Sequence, residues 1–127
     1  MDLSGKKILI ADDSILARKQ LSDLISANGS GAEFIMSANG EEAITKYREE
    51  KADIVFLDIV MPVKDGIEAV RGIRGIDENA LIVIVSSVGT QGQLKAALSA
   101  GAKDFIQKPL TKEQVTHVLN AYLEGES

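Results

Sequence analysis

Several polar residues stand at the ends of apolar runs. Asp12-Asp13 follow KKILIA, Asp58 follows IVFL, Ser86-Ser87 follow ALIVIV, and Lys108 follows KDFIQ. Three carboxylates gathered within a few ångströms repel one another, so some stay protonated or a cation sits among them. An all-oxygen donor set with no cysteine and no nearby histidine points to Mg²⁺, which favours sites completed by phosphate. A lysine and a hydroxyl beside such a metal suit a phosphoryl group. Lys108 can pair with an oxygen anion, Ser86 can donate a hydrogen bond, and the metal can neutralise charge during transfer. The natural nucleophile is the carboxylate at the centre, forming an acyl phosphate, and Asp58 fits that position best.

This chemistry requires that the run ends meet. Ile54 to Met61 is continuously apolar apart from Asp58, as in a strand buried on both faces of a parallel sheet. The strands read as Lys6–Asp12, Ala32–Ser37, the Asp58 run, Ala80–Val85 and Lys103–Gln107. Helices read as Ser14–Asn28, then from Asn39 to about Lys51 with Glu42 as a capping-box acid. A third opens at Asp65-Gly66 and is weakened by Gly72 and Gly75. A fourth follows a Val88–Gly92 loop and carries Leu94, Ala97 and Leu98. The fifth opens on the Thr111–Gln114 capping box and buries Val115, Val118, Leu119 and Tyr122. Five strands alternating with five helices give an α/β, doubly wound, five-stranded parallel sheet, because a β/α barrel needs about twice the length. Ligands bind at the carboxyl ends of strands in such sheets. With strand order 2-1-3-4-5, Asp12, Asp13 and Asp58 share one crevice, with Ser86 and Lys108 next along the rim.

Composition narrows the function further. The 127 residues form one domain, 1–127, with a core from about 6 to 122; they are 45% hydrophobic, lack cysteine and carry a net charge of −5. That charge argues against non-specific nucleic-acid or anionic-membrane binding. No apolar run spans a bilayer and Met1–Gly5 shows no signal pattern, so the expected location is the cytoplasm. Taken singly, each rim residue has a plain alternative: Asp13 as an N-cap, Ser86 as a strand end, Lys108 as a solvated charge. Together they do not, because all fall at one edge of one sheet. His117 reads as structural, Gly29-Ser30-Gly31 as a helix stop, and Glu124–Ser127 as a frayed acidic tail.

From about Lys6 to Tyr122 the chain resembles the receiver domain of bacterial response regulators, of the stand-alone chemotaxis type. The matching pieces are Asp12-Asp13-Ser14, Leu57–Pro62 with Asp65-Gly66, Ser86-Ser87, Gly101-Ala102 and Lys108-Pro109. The resemblance implies a flavodoxin-like fold in which Asp58 accepts a phosphoryl group from a sensor histidine kinase. It implies Mg²⁺ held by Asp12, Asp13, Asp58 and the backbone carbonyl of Val60. Ser86 becomes a switch hydroxyl, Phe105 a switch aromatic that rotates inward, and Lys108 a phosphoryl contact with a cis bond to Pro109. The fourth helix, fifth strand and fifth helix become the output surface for a protein target such as a flagellar motor component or a phosphatase. Phosphorylation adds nearly two charges that bias such an element.

The chain departs from the chemotaxis pattern in placing Phe105 where tyrosine is common. Apolar Val60 and Val88, two beyond Asp58 and Ser86, are expected to slow autodephosphorylation. A Mg²⁺-dependent aspartyl phosphatase is the rival, but it needs a second Asp two residues after the nucleophile, where Val60 stands. A flavodoxin-like cofactor binder needs a phosphate loop that Asp12-Asp13 would repel. A receiver cut from a longer regulator is the remaining alternative. The expectation is a monomeric signalling switch, not a turnover enzyme.

Overall fold

The computed structural model describes residues 1–87 and 91–123. Its elements are β1 (Lys7–Ala11), α1 (Ile15–Ser26), β2 (Glu33–Ser37), α2 (Gly40–Glu50), β3 (Ile54–Asp58), α3 (Gly66–Ile76), β4 (Ile82–Ser86), α4 (Gln91–Ala100), β5 (Asp104–Gln107) and α5 (Lys112–Tyr122). All strand pairings are parallel, in the order β2-β1-β3-β4-β5. Val88, the rest of the 88–90 loop and the 124–127 tail lie outside the described residues.

Strand alternation divides the core in two. Leu9, Val55, Leu57, Ile82 and Ile84 face Ala43, Tyr47, Val70, Ile73 and Ala97 of α2, α3 and α4. Ile8, Ile10, Ile54, Phe56, Val83 and Val85 face Leu21, Ile25, Val115 and Leu119 of α1 and α5. Each Val, Leu, Ile or Phe among these contributes about 1.5–3 kcal/mol on burial, which makes an aromatic-poor core sufficient. Every residue of β3 and β4 is buried, so neither strand shows the polar alternation of a solvent-facing sheet.

Local chemistry sets the helix starts. Ser14, not Asp13, caps α1: its Oγ accepts from the Ala17 amide at 3.2 Å, which leaves both acidic side chains of the pair free of that duty. Asn39 caps α2, but the Glu42 carboxylate accepts from the Ala38 amide, one residue upstream of the capping-box partner. Asp65 with Glu68, and Thr111 with Gln114, form complete capping boxes. β4 starts at Ile82 and runs through Ser86, later than expected, because the Ala80 amide closes a turn onto the Asp77 carbonyl. α4 begins at Gln91, so Gly92 lies inside its first turn rather than in the preceding loop. Gly72 does more than weaken α3: a Cβ there would sit 2.5 Å from Ile44 Cδ1, so glycine lets α2 and α3 approach.

Candidate functional site

The carboxyl ends of the strands form one acidic rim. Asp12 stands one residue past β1 and is 5% exposed; Asp58 is the last residue of β3 and 9% exposed. Asp13 is exposed. One carboxylate oxygen from each of the three lies within 4.8 Å of the others. β1 and β3 are sheet neighbours, with Ala11 opposite Leu57, and that register brings Asp12 and Asp58 level.

Lys108, just past β5, extends along the rim. Its Nζ donates to Asp12 Oδ2 at 3.1 Å and reaches Asp58 Oδ2 at 3.4 Å. Its backbone amide donates to the Ser86 carbonyl at 2.7 Å, tying the β5 end to the β4 end. The Lys108–Pro109 bond is cis. Ser86 is the buried last residue of β4. Phe105 pairs in register with Ile84 and is 44% exposed, so its ring faces outward here. Val60 lies in the bend after β3 and is exposed, next to the acidic rim. His117 is exposed on α5, away from the rim.

Electrostatics follow from this crowding. Burial, then the charge of Asp12, raises the Asp58 pKa above the ordinary carboxylate value, against the opposing pull of Lys108. For Lys108 burial works downward, but its hydrogen bond to Asp12 and the charges of Asp58 and Asp12 outweigh it and hold the ammonium pKa up. One ammonium cannot balance three carboxylates, so the site keeps a negative excess. An oxygen-only cluster of that charge fits a divalent cation such as Mg²⁺.

Two residues that hold the site escaped the sequence reading. Gly66 opens α3, and its amide donates to the Ile59 carbonyl at 2.7 Å. A Cβ at Gly66 would lie 2.4 Å from the Asp58 carbonyl oxygen, so only glycine lets the helix start press against the nucleophile's own backbone. The Asp-Gly pair read as a turn opening the third helix and as a piece of the resemblance, but not as a contact with the Asp58 backbone. Arg18 on α1 donates from Nη1 to the backbone carbonyl of Asp12. A lone arginine in a helix gives no such signal. Beside the rim, α1 and the chain after Lys108 bound a cavity of about 620 Å³ lined by Leu16, Leu21, Phe56 and Pro109.

Sheet order, helices on both faces and an oxygen-only acidic rim with one lysine define a doubly wound α/β domain whose strand ends carry an acidic cluster of a kind that could hold a divalent cation. The chain belongs to the response regulator receiver domain family, whose model matches residues 8–120. It is 45% identical over 117 residues to the chemotaxis protein CheY of Thermotoga maritima, covering 91% of this chain and 96% of that one. It is 41% identical over 118 residues to CheY of Bacillus subtilis, covering 92% and 97%. Among solved structures it is similar to a chain of the CheX-CheY-BeF3-Mg²⁺ complex from Borrelia burgdorferi, with TM-score 0.85, 36% identity and coverage of 94% of this chain and 91% of that one. The chain is therefore a receiver of the two-component response regulator class, similar over most of its length to chemotaxis relatives. Among the described residues no helix is long and apolar enough to cross a membrane.

Proposed function

We propose that Asp58 is the phosphoacceptor of this receiver and that the acidic rim makes it a Mg²⁺-dependent switch. The observation that carries this reading is the convergence of three carboxylate oxygens within 4.8 Å, with Lys108 Nζ bridging two of the carboxylates. An Asp58 oxygen attacks the phosphorus of a phosphohistidine on a sensor kinase. The P–N bond breaks, its electron pair stays with the imidazole, and an acyl phosphate is left on Asp58. Asp12, Asp13, Asp58 and the Val60 carbonyl would hold Mg²⁺, which supplies neutralising charge for the phosphoryl oxygens. Lys108 is already poised at Asp58, within reach of those oxygens, so it exchanges a carboxylate partner for a phosphoryl one.

Ser86 and Phe105 are the switch pair of this reading. Ser86 shares the β4 end with the carbonyl that accepts the Lys108 amide, so a pull on Lys108 is felt there. Phe105, exposed on the adjoining strand, turns inward in this reading and so alters the α4–β5–α5 face. A downstream protein reads that face, and the chemotaxis relatives favour motility control, with a motor component or a phosphatase as the target. The exposed apolar rim residues Ile15, Leu16, Val60 and Val63 suit a protein phosphodonor. The protein acts as a cytoplasmic monomer that catalyses only its own phosphorylation and dephosphorylation, with Val60 and Val88 slowing the latter.

Acetyl phosphate with Mg²⁺ and intact-mass detection tests the reading. Wild type should gain one Mg²⁺-dependent phosphoryl adduct that Asp58→Asn loses. An adduct that persists in the variant refutes the assignment, and free phosphate released over many turnovers would make the chain a phosphatase instead.

A further inference from the structure

We propose that Arg18 is a positioning residue that sets the relative direction of Asp12 and Asp13 and thereby the affinity of the rim for Mg²⁺. This rests on the reading of the rim as a cation site. Asp12 is tied at every polar atom. Its amide donates to the Ser37 carbonyl at 3.1 Å. Oδ1 accepts from the Ser14 amide at 2.9 Å, and Oδ2 accepts from Lys108 at 3.1 Å. The remaining group, the backbone carbonyl, accepts from Arg18 Nη1.

That carbonyl belongs to the peptide unit joining Asp12 to Asp13. A peptide unit is planar and turns as one body, so holding its oxygen fixes the frame from which the Asp13 side chain departs. Asp13 is exposed, and its carboxylate takes its aim from that backbone. The carbonyl lies past the end of β1, on a residue that is 5% exposed, where neither the ladder nor bulk water supplies a donor readily. Arg18 reaches it from α1, one helical turn beyond the cap, where the Arg18 amide donates to the Ser14 carbonyl at 3.1 Å. Cap, arginine and acidic pair therefore form one closed unit.

The guanidinium also brings positive charge near a cation site, which opposes binding. The inference is that the anchoring bond outweighs this repulsion. Groups that orient ligands from outside the coordination sphere change metal affinity by about 10–100-fold when removed.

Calorimetric titration of the full chain with MgCl₂ decides it, comparing wild type, Arg18→Ala and Arg18→Lys, with melting in EDTA alongside. Arg18→Ala should raise the Mg²⁺ Kd about tenfold, and Arg18→Lys, which keeps a donor and the charge, should recover part of that loss. The metal-free melting temperature should move by no more than about 4 °C. An unchanged or lower Kd in Arg18→Ala overturns the inference. So does a Kd that rises only together with a collapse of metal-free stability and is not recovered by lysine, since that is a helix-packing effect. Wild type that binds no Mg²⁺ would instead remove the cation-site reading itself.

Discussion

Changing Asp58 to asparagine removes one charge from the rim while keeping its shape. The Coulomb terms it deletes nearly cancel. At an effective dielectric of about 20, repulsion from Asp12, with a carboxylate oxygen within 4.8 Å, is worth at least about 3.5 kcal/mol and attraction to Lys108 at 3.4 Å about 5 kcal/mol. Asp13 is exposed, so solvent screens its repulsion to about 1 kcal/mol. Burial of an ionised carboxylate then decides the sign, since it costs several kcal/mol. Burial is also the largest cause of the raised Asp58 pKa. Asp58→Asn should therefore stabilise the metal-free protein by about 1–3 kcal/mol, raising its melting temperature by about 3–10 °C.

The pH dependence has a definite sign. Because the folded pKa of Asp58 lies above its unfolded value near 3.8, the wild-type penalty is absent below that value. It grows as pH rises through the folded pKa, so the variant's advantage should be full at neutral pH and shrink on acidification. Thermal and urea unfolding in EDTA, followed by circular dichroism, measures it. Added Mg²⁺ should stabilise wild type more than the variant, because binding stabilises only through a formed site. A variant that is unchanged or less stable at neutral pH in EDTA would show that Lys108 already neutralises the cluster.

Other perturbations follow from single contacts. Ser37 Oγ is buried without a partner, so Ser37→Ala should stabilise by about 1 kcal/mol in urea unfolding. The Tyr47 hydroxyl donates to Asp77 Oδ2 at 3.0 Å, and burial followed by that bond pushes its pKa up to about 12. Tyr47→Phe should cost about 1–2 kcal/mol in urea unfolding at neutral pH. Tyr47's contribution, full below about pH 10, should fade as pH rises through about 12, which ultraviolet titration of wild type against the variant resolves. Gly66→Ala forces a Cβ to 2.4 Å from the Asp58 carbonyl oxygen and should destabilise by about 2–3 kcal/mol while weakening Mg²⁺ binding in calorimetry.

Much of this architecture was legible in the sequence, because its signals were local. Five apolar runs separated by caps and turns marked the strands, and the polar residues ending four of them marked the rim. The strand order came with the fold class, and the register of Ala11 with Leu57 agrees with it. The rest depends on specific contacts, some local and some between distant parts of the chain, that residue types alone do not announce. Asp13 had an N-cap as its plain alternative, and Ser14, which bonds the Ala17 amide, takes that duty. Gly72 looked only like a weak point in its helix, whereas the fold packs it against Ile44, whose Cδ1 would lie 2.5 Å from an added Cβ. Arg18 gave no signal in the sequence, and only the fold shows that α1 turns it back onto Asp12.

Repulsion among the rim carboxylates persists because the backbone beneath them cannot spread. The Asp12 carbonyl is held by Arg18, the Ser86 carbonyl by the Lys108 amide, and the Ile59 carbonyl by the Gly66 amide. The Lys64 carbonyl is held by the Gly40 amide, which fastens the loop after β3 to the start of α2. The Lys108 bond prolongs the β4–β5 pairing past its last registered residues, and the other three join a strand end or loop to a helix. A looser rim would let the carboxylates move apart, easing the apoprotein and removing most of what a cation or a phosphoryl group gains by arriving. Rigid backbone under crowded charge is the arrangement in which preorganised electrostatics act most strongly. The instability predicted for ionised Asp58 and the affinity predicted for Mg²⁺ are thus two measures of one constraint. A substitution that loosens any of these ties should lower both together.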